Sequence, residues 1–373
     1  MARISSILAA LALVALGLAF AAVAFVYLAG VYTGAGFPVD FSAFWAEARL
    51  VLEGRAIDGY DGTTLNAEIA IDPAYPQTQY LWLYPPTWAA TVAPLGLLPF
   101  WAAWPLFAGT CLWLYLRTLD GPAAALPGGT NLLLAAPVAV MGTLNGNNGL
   151  LSAAVLVLAL GALDNGRAAR GGLLIAALTM KPTLGLLIPF AMATAGWWRA
   201  VAWATAGALV LVGMSVGLFG VEMWAEWFRV LVGSSDLMGN AINTHVMVSW
   251  YGFGRSVGLD HETATAIQGV VTLGCVALTV WLFRTGPDRR TAVFLMAVPL
   301  ATPYAHYYEM ALTLAGVVFW IGAGGGRRWD ERAVVALLWL LPSLAIFSRD
   351  PPLVALTAAP LMSLALGMAL WRR

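Results

Sequence analysis

The single lysine of the chain, Lys181, lies in the segment 179–183 (TMKPT), in the middle of an apolar region. An ionisable group in apolar surroundings is costly, so it normally faces a cavity or a partner and takes part in function. Because Pro182 follows it and breaks a helix, the pattern predicts a cation at a broken helix, a position suited to binding a phosphate group. The alternative is a structural ion pair, or a lysine whose stem extends to the surface.

Asp40 begins a segment in which apolar residues recur at helical spacing, namely Phe41, Phe44, Trp45, Ala48 and Leu52. Charged residues such as Glu47 and Arg49 fall largely on other positions, so the segment predicts an amphipathic helix on a membrane surface. Asp40 would occupy the first turn, where a carboxylate accepts hydrogen bonds from backbone N–H groups. The same carboxylate, held at the mouth of the membrane, could also take a proton from a substrate hydroxyl.

Two further polar groups border apolar segments. Tyr84 precedes two prolines at the start of one segment, and Asn145 and Asn147 belong to the turn 145–148 (NGNN) between two others. A helix start below an interfacial aromatic residue explains the first group, and helix capping explains the second. The functional alternative is that these side chains form hydrogen bonds with a sugar.

Two later segments combine histidines with other polar residues. His245 and Arg255 lie among aromatic residues, and His306 and Glu309 lie in the turn 302–309 (TPYAHYYE). A spacing of three places His306 and Glu309 on one helix face. Two ligands at this spacing give weak support for a metal. We therefore expect His245, His306 and Glu309 to form hydrogen bonds with the substrate and to accept or donate protons. We predict neither a metal nor a cofactor.

The elements that must position these residues are apolar helices. Of 373 residues, 61% are apolar and 10% are charged, against about 45–50% and about 25% in soluble domains. This composition excludes an ordinary water-soluble enzyme. The 19 basic and 19 acidic residues balance, so there is no basic surplus to attract nucleic acid, which is not expected as a partner. The composition predicts an all-α polytopic protein of the lipid bilayer.

Apolar stretches that could cross or nearly cross a bilayer occur about twelve times. They are 7–29, 83–98, 100–119, 131–144, 148–163, 171–195, 200–219, 263–284, 290–303, 307–323, 332–347 and 353–371. The first run is longer than the core of a signal peptide, so we expect a retained span. Cys111 and Cys275 lie inside apolar stretches and predict buried thiols. The chain 1–373, without an internal repeat or a low-complexity linker, is expected to form one unit.

Charge placement predicts the orientation of these segments. Most carboxylates lie in two loops, 30–82 and 220–262, whereas arginines cluster at 284–290, 327–332 and 372–373. By the positive-inside rule the arginine clusters face the cytoplasm. This orientation places both acidic loops and the turn that contains the third histidine on the outer side.

Arg167 and Arg170 do not fit this scheme, because simple alternation of the spans places them outside. The region 131–195 is therefore expected to contain half-spans or a re-entrant hairpin. Pro182 and the nearby glycines give opportunity for such a break.

Taken in order, these pieces resemble glycosyltransferase family 87, the polyprenol-phosphate-mannose-dependent α-mannosyltransferases of the GT-C superfamily. The matching features are Asp40 with its aromatic helix and Gly54, Tyr60-Asp61, Tyr84-Pro85-Pro86 before Ala93-Pro94-Leu95, the turn 145–148, Lys181-Pro182, Arg255 before Gly258, and Thr302-Pro303-Tyr304. The resemblance covers nearly the whole chain and implies a GT-C-type fold with interfacial helices in outer loops. The late turn departs from the paired-histidine form of the actinobacterial enzymes, since it has His306 and Glu309 among tyrosines.

The resemblance implies an inverting membrane glycosyltransferase whose active site lies on the outer, periplasmic side of the cytoplasmic (inner) membrane. Asp40 would act as general base, and Lys181 and Arg255 would bind the donor phosphate. The partners would be a polyprenyl-phosphate hexose, with mannose as the expected sugar, and a glycolipid or glycan acceptor of the cell envelope. A transporter or flippase for lipid-linked sugars and a noncatalytic component of polysaccharide assembly are the alternatives.

Overall fold

A computed structural model describes residues 40–69, 80–126, 128–239, 244–286, 289–346 and 351–371. Within these ranges the regular secondary structure is helical, apart from one isolated β-bridge between Met247 and His306. The predicted all-α class is therefore confirmed. The expected first span, 7–29, lies outside the described residues.

The chain is divided into many helices of unequal length. In chain order the α-helices are α1 (Asp40–Leu52), α2 (Gly62–Glu68), α3 (Pro86–Val92), α4 (Phe100–Ala123), α5 (Thr130–Leu134), α6 (Pro137–Asn145), α7 (Gly149–Asp164), α8 (Ala168–Ala177), α9 (Ile188–Thr194), α10 (Trp198–Phe219), α11 (Val221–Gly239), α12 (Trp250–Ser256), α13 (His261–Thr285), α14 (Arg290–Ala301), α15 (Met310–Gly322), α16 (Trp329–Leu340) and α17 (Leu353–Trp371). Short 3-10 helices cover Ala56–Tyr60, Ala93–Leu97, Leu178–Met180, Pro182–Gly185, Thr244–Val246, Tyr307–Glu309 and Leu341–Ile346.

Among the described residues, three helices are long and apolar enough to cross a bilayer, namely α10, α13 and α17. A fourth candidate exists if α6 and α7, which meet at a bend of 120°, count as one broken span. The predicted count of about twelve spans is not confirmed. Several predicted spans are shorter helices, because prolines, glycines and amides interrupt the apolar runs; α8 and α14 are examples.

Two of these interruptions are the tips of helical hairpins. The first, 145–148, separates α6 from α7, and Gly146 ends α6 in the left-handed region at φ 61°. A Cβ at Gly146 would lie 2.6 Å from the Cβ of Phe41, so the tip requires glycine for conformation and for space. The second interruption is at Lys181, where Pro182 cannot donate a backbone hydrogen bond to continue the helix.

The two tips lie at the same end of the molecule, here called the site end. A Cβ at Gly149 would lie 2.8 Å from the carbonyl oxygen of Tyr308. The carbonyl of Thr183 accepts a hydrogen bond of 3.3 Å from Thr302. The turn 302–309 therefore contacts both tips.

The opposite end of the helices is marked by Arg290. This residue forms an ion pair with Asp164, and its guanidinium lies over the rings of Trp197 and Phe283 at 5.3 and 4.9 Å from their centroids. Helix α7 thus runs from the site end to the end that carries Arg290.

Arg167 and Arg170 follow Asp164 directly and lie at the end that carries Arg290. The expected half-spans or re-entrant hairpin within 131–195 agree with the bend of 120° between α6 and α7, because the chain turns at the tip 145–148.

Helix α1 has the predicted start and spacing but not the predicted surroundings. The side chains of Phe41 and Phe44 pack into an aromatic cluster with Trp88, and each such burial contributes roughly 1.5–3 kcal/mol. Glu47, which the amphipathic pattern assigned to a polar face, is 0% exposed. The assignment of Glu47 to a polar face was therefore wrong, since residues 56–60 and 86–97 cover this part of α1.

Candidate active site

Lys181 and Glu309 form the centre of the site. The ammonium of Lys181 pairs with Oε1 of Glu309, and their side chains are 14% and 1% exposed. The same ammonium lies 3.3 Å from Oδ1 of Asn148 and 4.8 Å from the centre of the Tyr308 ring. The ion pair that was the alternative interpretation of Lys181 is thus present, and it lies at the helix break.

Glu309 uses its two oxygens for different partners. While Oε1 contacts the lysine, Oε2 accepts a 2.6 Å hydrogen bond from the backbone N–H of His306. This bond closes the 3-10 turn Tyr307–Glu309. His306 and Glu309 do not share a helix face as expected, because His306 precedes this 3-10 helix and contacts Glu309 through its backbone N–H.

Asp40 lies beside this pair at the start of α1, and its side chain is half-buried. Burial raises the pKa of the Asp40 carboxyl to about 6. The positive charge of Lys181 opposes this shift, Glu309 adds to it, and the Asn147 amide stabilises the ionised carboxylate. Three residues that are far apart in the sequence thus form one electrostatic group.

The turn 145–148 supplies amides to the same site. Oδ1 of Asn147 accepts a 2.9 Å hydrogen bond from the first N–H of α7, that of Gly149, although the cap residue Asn148 makes no capping bond with its side chain. The amide nitrogen of Asn145 donates to the hydroxyl of Tyr307. Capping and proximity to Asp40 therefore coexist in one turn.

Asn148 and Tyr308 are site residues that the sequence reasoning missed. Asn148 is 0% exposed, and its Oδ1 contacts Lys181. The Tyr308 ring stacks on His306 with centroids 5.5 Å apart and planes 12° apart. The sequence did contain a signal for both, because Asn148 lies in the turn 145–148 and Tyr308 in the turn 302–309, which were singled out for other residues.

Tyr84 reaches the site from the start of α3. Its hydroxyl lies 3.4 Å from Oδ1 of Asn148, and its ring packs on Phe44 at 5.2 Å. Its backbone carbonyl accepts a 2.8 Å hydrogen bond from the hydroxyl of Tyr60. The predicted helix start is observed, and the hydrogen bond of Tyr84 to a sugar stays a prediction.

His306 is half-buried at the edge of the same group. Burial, together with the charge of Lys181, lowers the pKa of His306 to about 4, and His245 contributes to this shift. His306 is therefore a neutral hydrogen-bonding group at neutral pH. The segment that contains His245 is held beside it by a 2.8 Å backbone hydrogen bond from Val248 to Ala305.

Arg255 belongs to a neighbouring cluster on α12. It donates a 2.9 Å hydrogen bond to the carbonyl of Leu259 and acts electrostatically on Tyr251. The Tyr251 hydroxyl lies 3.0 Å from Nδ1 of His261, and its ring contacts that of Tyr304 at 5.6 Å. Arg255 is thus linked to the turn 302–309 through Tyr251 and Tyr304.

The arrangement supports substitution at a charged leaving group. Asp40 can accept a proton, and Lys181 can stabilise negative charge that develops beside it. Across the described ranges, no group of three or more His, Cys, Asp or Glu residues could hold a metal ion.

A comparison with known protein families matches residues 82–303 to glycosyltransferase family 87. The matched region is more than half of the chain and includes Lys181. Neither the curated proteins nor the solved structures contain a match. Asp40 and Glu309 lie outside the matched region, yet the fold brings both to Lys181.

Proposed function

The chain belongs to glycosyltransferase family 87, and we propose that it transfers a hexose, with mannose as the predicted sugar, from a polyprenyl phosphate. The acceptor is a lipid-linked or envelope glycan. The observation that carries this proposal is the half-buried Asp40 carboxyl beside Lys181, because a base and a cation then share one site.

In the proposed reaction, Asp40 takes the proton from an acceptor hydroxyl. The acceptor oxygen attacks the anomeric carbon from the face opposite the phosphate, and the bond between that carbon and the phosphate oxygen breaks. The configuration inverts, and the bonding electrons leave with polyprenyl phosphate. A phosphate leaves without strong protonation when cations stabilise it, the role proposed for Lys181 and Arg255.

The remaining residues of the site are proposed to bind the substrates. They are Tyr84, Asn145, Asn147, His245, His306 and Glu309. Their character supports this role, because a neutral imidazole, phenols and amides can donate and accept hydrogen bonds with sugar hydroxyls.

The apolar helices support a lipid-linked donor. Helix α10 spans 22 residues and exposes large apolar side chains such as Leu209, Val210 and Met214. A helix of this length and composition is suited to contact with lipid. We propose a multi-pass protein of the inner membrane, with the site end on the periplasmic side.

The test is transfer of labelled sugar from polyprenyl-phosphate-mannose in liposomes, with a membrane extract as acceptor. The Asp40→Asn variant is expected to transfer about 10²–10⁴-fold more slowly, because general-base assistance is lost. Asp61→Asn is the matched control, since Asp61 is an exposed cap of α2 and asparagine caps equally well.

Two results would contradict the proposal at different points. Wild-type turnover by Asp40→Asn would exclude Asp40 as the base. Failure of the folded wild type to bind or consume the donor would exclude this donor, and other lipid-linked sugars and transport would then be tested.

A further inference from the structure

The orientation of the Asn148 amide is fixed by its neighbours. Oδ1 of Asn148 lies 3.3 Å from the ammonium of Lys181 and 3.4 Å from the hydroxyl of Tyr84. An ammonium can only donate hydrogen bonds, so it must face the oxygen of the amide and not the nitrogen. The NH₂ group of Asn148 therefore points away from Lys181.

This NH₂ group is buried without an acceptor. Asn148 is 0% exposed, and within the described part of the chain its Nδ2 has no hydrogen-bond partner. Buried amides in folded proteins are almost always paired, because an unpaired one loses its hydration without compensation. The two N–H groups of this amide, which lie in the candidate active site, thus lack an acceptor oxygen.

The surroundings favour an oxygen that carries negative charge. Asn148 is the cap residue of α7, a helix of 16 residues whose first N–H groups lie at the site end. The N-terminus of a helix carries partial positive charge and attracts anions. The ammonium of Lys181, which is paired with Glu309, lies on the other side of the same amide.

Lys181 is already engaged within the protein. Its ammonium contacts Glu309, Asn148 and the face of Tyr308. A lysine held in this way supplies charge from a fixed position, and a further donor is needed to fix the orientation of an anionic group.

We propose that the NH₂ group of Asn148, at the N-terminus of α7, binds a phosphate oxygen of the lipid-linked sugar. This inference rests on the proposed function and adds a phosphate-binding residue to it. A neutral sugar hydroxyl would also accept a hydrogen bond, but it would gain less from the helix terminus and from Lys181.

The test uses polyprenyl phosphate without a sugar, the product of the proposed reaction, as a ligand of the purified full-length protein in detergent. Affinity is measured from the ligand-dependent rise in melting temperature. Polyprenol, which lacks the phosphate, is measured in parallel. The Asn148→Asp variant keeps an oxygen facing Lys181 and Tyr84 but replaces the NH₂ group with a second, negatively charged oxygen, whereas Asn148→Ala removes the NH₂ group without adding charge.

Polyprenyl phosphate is expected to bind Asn148→Asp at least about tenfold more weakly than wild type, because a hydrogen bond to a charged group is lost and a like charge is added. Asn165→Asp is the matched control, since Asn165 follows the other end of α7 and is exposed. This control is expected to bind as wild type does. Should Asn148→Asp fail to fold, Asn148→Ala is expected to show the same loss.

The outcomes separate the inference from the proposed function. Equal binding of polyprenyl phosphate by wild type and the Asn148 variants would overturn this inference but would not contradict the proposed donor. Equal binding of polyprenol and polyprenyl phosphate by wild type would also overturn it, since the phosphate would then make no contact. No binding and no sugar transfer by wild type would overturn both.

Discussion

Asp40 is subject to opposing electrostatic effects within one small site. Burial and the nearby Glu309 favour its neutral form, whereas Lys181 and Asn147 favour the ionised form, and the pKa is about 6. A carboxylate without burial would be ionised but a weaker base. One that was buried without Lys181 would hold its proton more strongly. Lys181 therefore lowers the pKa of the proposed base, in addition to its proposed role of stabilising the leaving phosphate.

The pH dependence of transfer follows from this pKa. As the proposed base, Asp40 can accept a proton only when it is ionised, so the rate is expected to fall about tenfold per pH unit below about pH 6. His306, with a pKa of about 4, stays neutral through this range and does not contribute to the fall. The measurement is kcat/KM for the donor at several pH values on both sides of pH 6.

The Asp40→Asn variant is the control for the pH profile. Its residual rate is expected to be independent of pH in this range, because asparagine does not titrate. A wild-type rate that stays constant well below pH 6 would show that another group accepts the proton.

On the scale of a single helix, α1 contains a second buried carboxyl group. Glu47 lies two turns after Asp40, is 0% exposed, and neither of its oxygens has a hydrogen-bond partner among the described residues. A Cβ at Gly59 would lie 1.7 Å from its Oε2, so the 3-10 helix Ala56–Tyr60 is packed directly on the carboxyl group. Burial, with a smaller contribution from the charge of Asp58, raises the pKa of Glu47 to about 8.

The raised pKa makes the stability of the protein depend on pH. In the unfolded chain Glu47 ionises near pH 4.5, whereas in the folded protein it keeps its proton to about pH 8. The folded state therefore binds more protons in this window, and stability falls as pH rises through it. The loss amounts to about 3 kcal/mol near pH 7.

Glu47→Gln is expected to remove this pH dependence, because glutamine stays neutral. The gain in apparent melting temperature over wild type should grow as pH rises from about 5 to about 8. Glu53→Gln is the control, since Glu53 lies on the surface just after α1 and is 41% exposed. A melting temperature of Glu47→Gln that follows wild type at every pH would show that Glu47 is ionised in the folded protein.

Helix α1 and the helix break at Lys181 show which local features the sequence could predict. The start of α1 and its apolar spacing were predictable, because both depend on neighbouring residues. The burial of Glu47 was not, because the covering residues lie at 56–60 and 86–97. By contrast, Pro182 allowed the helix break at Lys181 to be predicted, but not that this break lies beside the turn 302–309.

For the whole molecule, the site is assembled from distant parts of the chain. The sequence reasoning identified Asp40, Lys181 and Glu309 as chemically unusual, each from its own surroundings. It could not pair Lys181 with Glu309, which lies 128 positions later, because such a contact depends on the packing of α7, α14 and the turn 302–309. Asn148 was missed because its role depends on the position of Lys181.

The two ends of the molecule also differ in charge, and simple alternation of the predicted spans does not predict this difference. Once the chain turns at 145–148, Arg167 and Arg170 join Arg290 at the end opposite the site. Arg167, Arg170 and Arg290 then lie at one end, which by the positive-inside rule favours the proposal that the site end faces away from the cytoplasm.

Cysteine labelling in intact cells can test this orientation, because the native thiols of Cys111 and Cys275 are buried. Thr63→Cys places an exposed thiol on α2, in the first acidic loop, and Asn165→Cys places one at the opposite end. A maleimide that cannot cross membranes is expected to label Thr63→Cys in intact cells and Asn165→Cys only after permeabilisation. The reverse pattern would place the site on the cytoplasmic side, and labelling of both thiols before permeabilisation would contradict an arrangement in which the two ends lie on opposite sides of the membrane.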